Sequence, residues 1–81
     1  MAHYYLDVHD GEQLVHDDEG FEFDSPGAAV RAAARSATET GTSKLAKGDT
    51  SDVDIQVRDE QDQRVVTVTA SMTIEWHDPL P

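Results

Sequence analysis

The sequence predicts an α+β fold with the order ββαββ, in which one helix packs on the apolar face of an antiparallel sheet. Two pairs of apolar segments each bracket a polar turn: three of the four segments alternate apolar and polar residues with the period of a half-buried strand, and the fourth is the short apolar run Leu14-Val15. One Ala-rich segment with helical periodicity lies between the pairs. Because 81 residues have room for only one small core, we expect a single domain over residues 1–76 and a flexible tail over 77–81.

The first predicted unit is a hairpin. Leu6 and Val8 share one face of a strand that is rich in β-forming residues. Asp10-Gly11 follows, a dipeptide suited to the positive φ of a tight turn. A two-residue turn would place Leu6 opposite Val15, whereas a three-residue loop would pair Val8 with Leu14, and the spacing leaves both registers open.

An acidic break and a short extended piece precede the helix. Asp17-Asp18-Glu19-Gly20 ends the first hairpin, and Phe21 and Phe23 then alternate with a glutamate. This places both rings on one face, where we expect them to close the core beneath the helix.

The helix is predicted to run from Pro26 to about residue 40. Ser25 before Pro26 matches an N-cap followed by proline at the first helical position. Gly41 opens the weakest helical stretch, so we expect the helix to end or kink there. The predicted buried stripe consists of small residues that let the helix approach the sheet closely: Val30, Ala33, Ala34 and Ala37.

The second hairpin joins a half-buried strand over residues 53–58 to a longer alternating segment that ends at Trp76. Residues 59–63 form the polar turn between them. At about 3.3 Å per residue, residues 64–76 would span roughly 43 Å, nearly twice the length of the other strands. Part of this segment must therefore bend, bulge or overhang. The face opposite the helix, with Asp54 and Thr67, is expected to be wet.

Several short motifs, taken in order, resemble a known family. They are Tyr4-Tyr5-Leu6-Asp7-Val8 with Asp10-Gly11, the acidic break at 17–20, the Ala-rich helix, and Val57-Arg58-Asp59-Glu60. Over residues 3–76 the chain resembles a family of very short bacterial proteins, frequent in soil and plant-associated species, that carry a domain of unknown function. The resemblance implies the same fold and a glycine in the second turn, where this chain has Gln61-Asp62-Gln63. It transfers no activity and no catalytic residue.

The charge excludes two classes of partner. Seventeen Asp and Glu against six Lys and Arg give a formal net charge of −11, and residues 1–30 hold eight carboxylates without one Lys or Arg. Nucleic acids and anionic membranes are poor partners for such a chain, because both require basic side chains. The absence of cysteine excludes disulfides and thiol catalysis. No leader or membrane-spanning pattern is present, which favours a cytoplasmic location.

Two groups of polar residues are candidate metal sites. If the helix runs antiparallel to the third strand, six carboxylates meet at one end of the sheet: Asp17, Asp18, Glu19, Asp59, Glu60 and Asp62. Hard cations favour such oxygens, but the spacing is not that of an EF-hand, and solvated acidic turns explain it more simply. The four histidines, His3, His9, His16 and His77, lack the spacing of a zinc site. The sequence therefore predicts no metal and no cofactor.

The leading functional hypothesis is a non-catalytic interaction module, because no nucleophile elbow, P-loop or dinucleotide motif is present. The end of the last strand, with Met72, Ile74 and Trp76, extends beyond what one short helix can cover. Pairing at a strand edge, with a second copy or another protein, would bury this excess. The alternatives are an acidic mimic that binds a basic, nucleic-acid-binding protein, and a weak regulator that binds divalent cations.

Overall fold

The computed structural model describes residues 2–78. Its elements, in order, are β1 (Ala2–His9), β2 (Leu14–Val15), β3 (Phe21–Phe23), α1 (Pro26–Ala46), β4 (Val53–Arg58) and β5 (Arg64–Ala70). The strands form an antiparallel sheet in the order β2-β1-β4-β5, and β3 also pairs with β1. One helix on an antiparallel sheet confirms the predicted α+β fold. Of the tail predicted over 77–81, residues 79–81 lie outside the described residues.

The first hairpin is closed by a four-residue loop, so both predicted registers are wrong. Val8 lies opposite Val15, one residue beyond the register of the three-residue loop. The loop is held by Asp10, whose N–H donates to the Gln13 carbonyl and whose carboxylate accepts the Gln13 N–H at 2.9 Å. Gly11 adopts a φ of +94°, which permits the chain to reverse. Side-chain capping by Asp10 therefore sets the loop length.

The helix α1 begins as predicted but continues past Gly41, so the predicted end or kink there is wrong. Ser25 Oγ accepts the N–H of Ala28 at 3.2 Å and caps the helix. Gly41 is buried, and a Cβ built on it would lie 2.9 Å from the sulfur of Met72. Packing against Met72 offsets the low helix propensity of glycine. No helix within residues 2–78 combines the length and apolarity needed to cross a membrane.

The core lies between α1 and β4. Ala29, Ala33 and Ala37 of α1 pack against Val53, Ile55 and Val57, and all six side chains are buried. The predicted stripe contained Val30 and Ala34, which are only half-buried, because the helix turns Ala29 and Gly41 towards the sheet. Phe23 packs against this core as predicted, whereas Phe21 is exposed.

The last strand is shorter than its alternating pattern. β5 ends at Ala70, which lies opposite Val53, the first residue of β4. Beyond that pair β4 offers no further partner, so residues 71–78 have no regular secondary structure. In the turn before β5, Asp62 adopts a φ of +62° in place of the glycine expected from the family resemblance.

Candidate functional site

Five of the six predicted carboxylates come together at one end of the sheet, which we call the acidic end. Asp17, Asp18, Asp59, Glu60 and Asp62 line a shallow hollow of about 280 Å³ together with Tyr5, His16 and Arg58. The sixth, Glu19, points elsewhere and lines a separate groove beside the helix. The sequence therefore located this cluster, but it did not predict the arginine at its centre.

Arg58, the last residue of β4, is the hub of the acidic end. Its Nε donates to Asp7 Oδ2 at 2.6 Å and its Nη1 donates to Asp62 Oδ1 at 2.6 Å. Its Nη2 donates to Asp7 Oδ1 at 3.1 Å and to the carbonyl of Asp17 at 3.0 Å. The guanidinium also stacks 4.9 Å from the centre of the Tyr5 ring. The hydrogen bond to Asp7 raises the pKa of Arg58, which is therefore always charged.

Asp7 is the buried carboxylate of the sheet face that was predicted to be wet, so that prediction is wrong at this position. Its side chain is 9% exposed, and that of Arg58 is 15% exposed. Burial acts to raise the pKa of Asp7, but the hydrogen bonds from Arg58 and from the Asp17 N–H outweigh it and lower the pKa. Asp7 and Arg58 therefore form a bidentate ion pair that ties β1 to β4.

On the side of β1 away from β4, neither β2 nor β3 pairs with the middle of the strand, and the side chain of Asp17 supplies a hydrogen-bond acceptor there. Its Oδ2 accepts the N–H of Leu6 at 3.0 Å, and its Oδ1 accepts the N–H groups of Glu19 and Gly20. Burial acts to raise the pKa of Asp17, and these three N–H donors lower it below its usual value. The side chain thus satisfies a strand N–H that would otherwise lack a partner.

The acidic end is chemically occupied by its own arginine and backbone donors. Asp7, Asp17 and Asp62 already accept hydrogen bonds, as described above. Among residues 2–78, no group of three or more His, Asp or Glu has an arrangement that could hold a metal ion. No buried side-chain nitrogen or oxygen in the same range lacks a hydrogen-bond partner. The arrangement acts as a clamp that fastens residues 16–20 to the sheet.

Three of the four histidines pair with neighbouring carboxylates. His16 Nδ1 lies 3.3 Å from Asp7 Oδ1, and His77 Nε2 lies 3.8 Å from Glu75. His3 Nε2 lies 2.7 Å from the carbonyl of Glu19, and its Nδ1 lies 3.3 Å from Glu22. The Glu19 carbonyl and then Glu22 raise the pKa of His3. No two of these histidines share a partner in a way that would build a metal site.

The second candidate site is the outer edge of β5. Within residues 2–78 β5 pairs only with β4, so its other edge is free. The direction of its N–H groups follows from the sheet. The N–H of Leu6 points away from β4 towards Asp17, so Tyr5, Asp7 and His9 form the hydrogen-bonded pairs with β4. The same alternation applies to the pairing of β4 with β5. The backbone N–H groups of Val66 and Val68 therefore point to β4, and those of Thr67 and Thr69 point to the free edge.

The segment after β5, residues 71–78, contains the three residues predicted to mediate interaction. Met72 is half-buried and packs against Gly41 of the helix. Ile74 is exposed, and Trp76 is 80% exposed. Met72 therefore anchors the start of this segment on the fold, while Ile74 and Trp76 present apolar surface to the solvent.

Sequence reasoning missed the pairing of Asp7 with Arg58. Both residues belong to the motifs of the family resemblance, but the alternating pattern by itself predicts that a charged residue in a strand faces water. A usable signal existed: Asp7 and Arg58 each lie on the face opposite the core residues of their strand, as the neighbouring Leu6 and Val57 show. Pairing the strands in the observed register places the two charges diagonally across from each other.

Comparison with known proteins identifies a family. A model described as "Domain of unknown function (DUF6894)" matches residues 3–71, which is most of the chain. The matched region contains β1 after its first residue, all of β2 to β5, the acidic end and the free edge of β5, and it stops before Met72. No curated protein and no solved structure matches this chain.

Proposed function

The chain belongs to the family defined by the domain of unknown function DUF6894, and we propose that it is a non-catalytic interaction module that assembles through the free edge of β5. A free strand edge presents unpaired N–H and C=O groups that another strand can bind. The proposed assembly is a homodimer in which two β5 strands pair antiparallel. The same edge could also accept a strand of another protein.

The difference between the two edges of the sheet supports this proposal. One edge consists of β2 and β3, which have two and three residues and are separated by the acidic break. Short, interrupted and charged strands resist edge pairing. The other edge, β5, is a continuous strand of seven residues rich in Val and Thr. It therefore has the length and the composition that favour strand addition.

The distribution of charge gives independent support. The chain has 17 Asp and Glu, yet residues 63–74 contain none, and Arg64 is their single charged side chain. Two copies that each carry a net charge of −11 repel one another over most of their surface. At β5 this repulsion is weakest, so a second copy can approach there.

A symmetric antiparallel pair is centred on Thr67, the middle residue of β5. The N–H and C=O groups of Thr67 face the free edge, so each Thr67 would bond the Thr67 of the other copy. Val66 would lie opposite the Val68 of the other copy, on the face that packs on the helix. Cross-strand pairs of this kind contribute roughly 0.2–1 kcal/mol each. Ile74 and Trp76 follow the end of β5 with exposed side chains, and they are proposed to bury apolar surface in the same contact.

Sedimentation velocity over a concentration series tests the proposal, in about 150 mM salt so that charge repulsion is screened beyond roughly 8 Å. The expected result is a shift from the 8.9 kDa monomer to twice that mass as concentration rises. Thr67→Glu places two carboxylates opposite each other at the centre of the pair and is expected to abolish the shift. Trp76→Ala is expected to weaken it.

Gln13→Glu, in the exposed loop before β2, is the matched control, because it makes the same change in charge at the opposite edge of the sheet from β5. It is expected to leave the association unchanged. Equal association of the two glutamate variants would contradict pairing at β5. A monomer at all concentrations would overturn the homodimer.

A further inference from the structure

A groove on the opposite side of the molecule from β5 suggests a second binding surface. The helix lies mainly over β4 and β5 and leaves part of β1 uncovered. The space beside it, about 660 Å³, lies between Ala32 of the helix and the edge formed by β2 and β3. Its apolar lining comes from four elements: Leu6, Val8, Val15, Phe21, Phe23 and Ala32. Val15 and Phe21 are exposed there although they are large and apolar. The volume falls in the range of sites that bind several side chains or a small ligand.

The rim of the groove is acidic, although His16 also lines it. Asp17, Asp18 and Glu19 lie along it, and no Lys or Arg is among its lining residues. Asp17 is occupied by backbone donors, as described above. The side chain of Asp18 is 87% exposed and its Oδ1 lies 3.8 Å from His16 Nε2, while Glu19 is also exposed. Two carboxylates therefore remain available to a ligand beside an apolar surface.

We propose that this groove binds a short segment of a basic protein in which apolar side chains alternate with Lys or Arg. The apolar side chains would occupy the space over Leu6 and Val8, and the cations would pair with Asp18 and Glu19. Charge complementarity selects this occupant. A second copy carries a net charge of −11, and its own apolar segment contains Glu75 and Asp78, so the acidic rim would repel it. This surface does not depend on pairing at β5.

The test is an ¹⁵N-¹H NMR titration of the full chain with a synthetic Lys-Leu-Lys-Leu-Lys-Leu-Lys peptide. Saturable shifts are expected at the groove residues and not at β5. A peptide with Ser in place of Leu and one with Glu in place of Lys serve as probes of the two components. Both are expected to bind at least about tenfold more weakly, because each removes one part of the proposed contact.

Two pairs of variants locate the site. Val15→Ser removes part of the lining and is expected to weaken binding about fivefold, whereas Leu14→Ser, a similarly exposed neighbour that does not line the groove, changes it less than about twofold. Asp18→Asn is expected to weaken binding and to reduce its salt dependence. Asp24→Asn, also exposed but outside the groove, is its control.

Three results would overturn the groove proposal. Equal binding of the Ser peptide would show general attraction between opposite charges. Equal effects of the two variants in either pair would place the site elsewhere. Groove shifts on simple dilution, without peptide, would mean that a second copy occupies it. Repeating the titration on Thr67→Glu separates this test from the β5 proposal, because that variant removes strand pairing and leaves the groove intact.

Discussion

Replacing Asp7 with asparagine tests the clamp at the acidic end. The change keeps the size of the side chain and removes its charge. Asp7 accepts two hydrogen bonds from Arg58, at 2.6 and 3.1 Å, and one from the Asp17 N–H at 2.9 Å. Asparagine can still accept the Asp17 N–H, but Arg58 would keep only the exposed Asp62 as a carboxylate partner. A largely buried cation would thus lose its buried counter-charge.

The expected cost follows from this geometry. Removing one partner of a buried ion pair costs about 3–5 kcal/mol, and the retained hydrogen bond places Asp7→Asn at the lower end, about 3 kcal/mol. At about 0.1 kcal/mol per residue, a chain of 81 residues has a free energy of unfolding of roughly 8 kcal/mol. The substitution is therefore expected to remove more than a third of the stability.

Urea denaturation followed by the far-ultraviolet circular dichroism of the helix measures this loss. Asp62→Asn is the matched control, because Asp62 binds the same arginine at the same 2.6 Å but its side chain is 80% exposed. That control is expected to cost less than about 1 kcal/mol. If the two variants lose the same free energy of unfolding, the Asp7–Arg58 pair contributes no more than a surface ion pair. That result would contradict the role given to its burial.

The stability of the fold is expected to fall on both the acid and the basic side of an optimum pH. The folded-state pKa values of Asp7 and Asp17 are lowered, so their contribution is complete above the unfolded value of about 3.9 and is lost as pH falls through the folded values. The pKa of His3 is raised, so its contribution is complete below about 6.5 and is lost as pH rises through the folded value. Maximum stability is therefore expected between about pH 4 and 6.5, and in Asp7→Asn the loss on the acid side is expected to be smaller.

Three further predictions concern glycine positions and charge. Gly20→Ala is expected to destabilise the fold by more than Gly48→Ala in thermal denaturation: both residues have positive φ, but a Cβ at Gly20 would lie 2.8 Å from a backbone carbonyl oxygen, whereas Gly48 faces open space, and equal losses would contradict this. Gly41→Ala is expected to displace Met72, because the new Cβ would lie 2.9 Å from the sulfur of Met72. In a chain that already carries Met72→Ala, the same change is expected to raise the free energy of unfolding by up to about 1 kcal/mol, because alanine is the better helix former. Urea denaturation measures this difference, and an unchanged free energy of unfolding would contradict the contact between Gly41 and Met72. Raising NaCl from about 0.05 to 0.5 M is expected to raise the melting temperature, because salt screens a net charge of −11, and a decrease would contradict this reasoning.

The fold was predictable where local patterns and tertiary packing agree. Ser25-Pro26 marked the start of the helix, and the strict alternation of residues 53–58 marked a strand that is buried on one face. In these segments the capping chemistry and the period of apolar residues point to the same structure.

The prediction failed where a distant partner decides the local structure. Gly41 lies inside the helix because Met72, 31 positions later, packs against it. The last strand stops at Ala70 because β4 begins opposite it, which its own alternating pattern cannot reveal. The first loop has four residues because Asp10 caps it, and a side chain that bonds its own loop does not alter residue spacing.

The sequence predicted the cluster of carboxylates at the acidic end, but it did not predict the ion pair at its centre. The predicted topology places the acidic turns at 17–19 and 59–62 at the same end of the sheet. The role of Arg58, however, depends on the register between β1 and β4. That register places Arg58 beside Asp7, so that the two residues form an ion pair within the acidic end. The predicted interaction residues lie on a segment whose start is anchored by Met72, while their role remains a prediction.

Interchain nuclear Overhauser effects report directly on the proposed pairing of β5 with a second copy. The sample mixes ¹³C-labelled and unlabelled chains at a concentration where association is measurable, and isotope filtering selects contacts between copies. Pairing at β5 predicts contacts from Val66 to the Val68 of the other copy and between the two Thr67 residues. A strictly monomeric chain, or contacts confined to Phe21 and the groove, would contradict it.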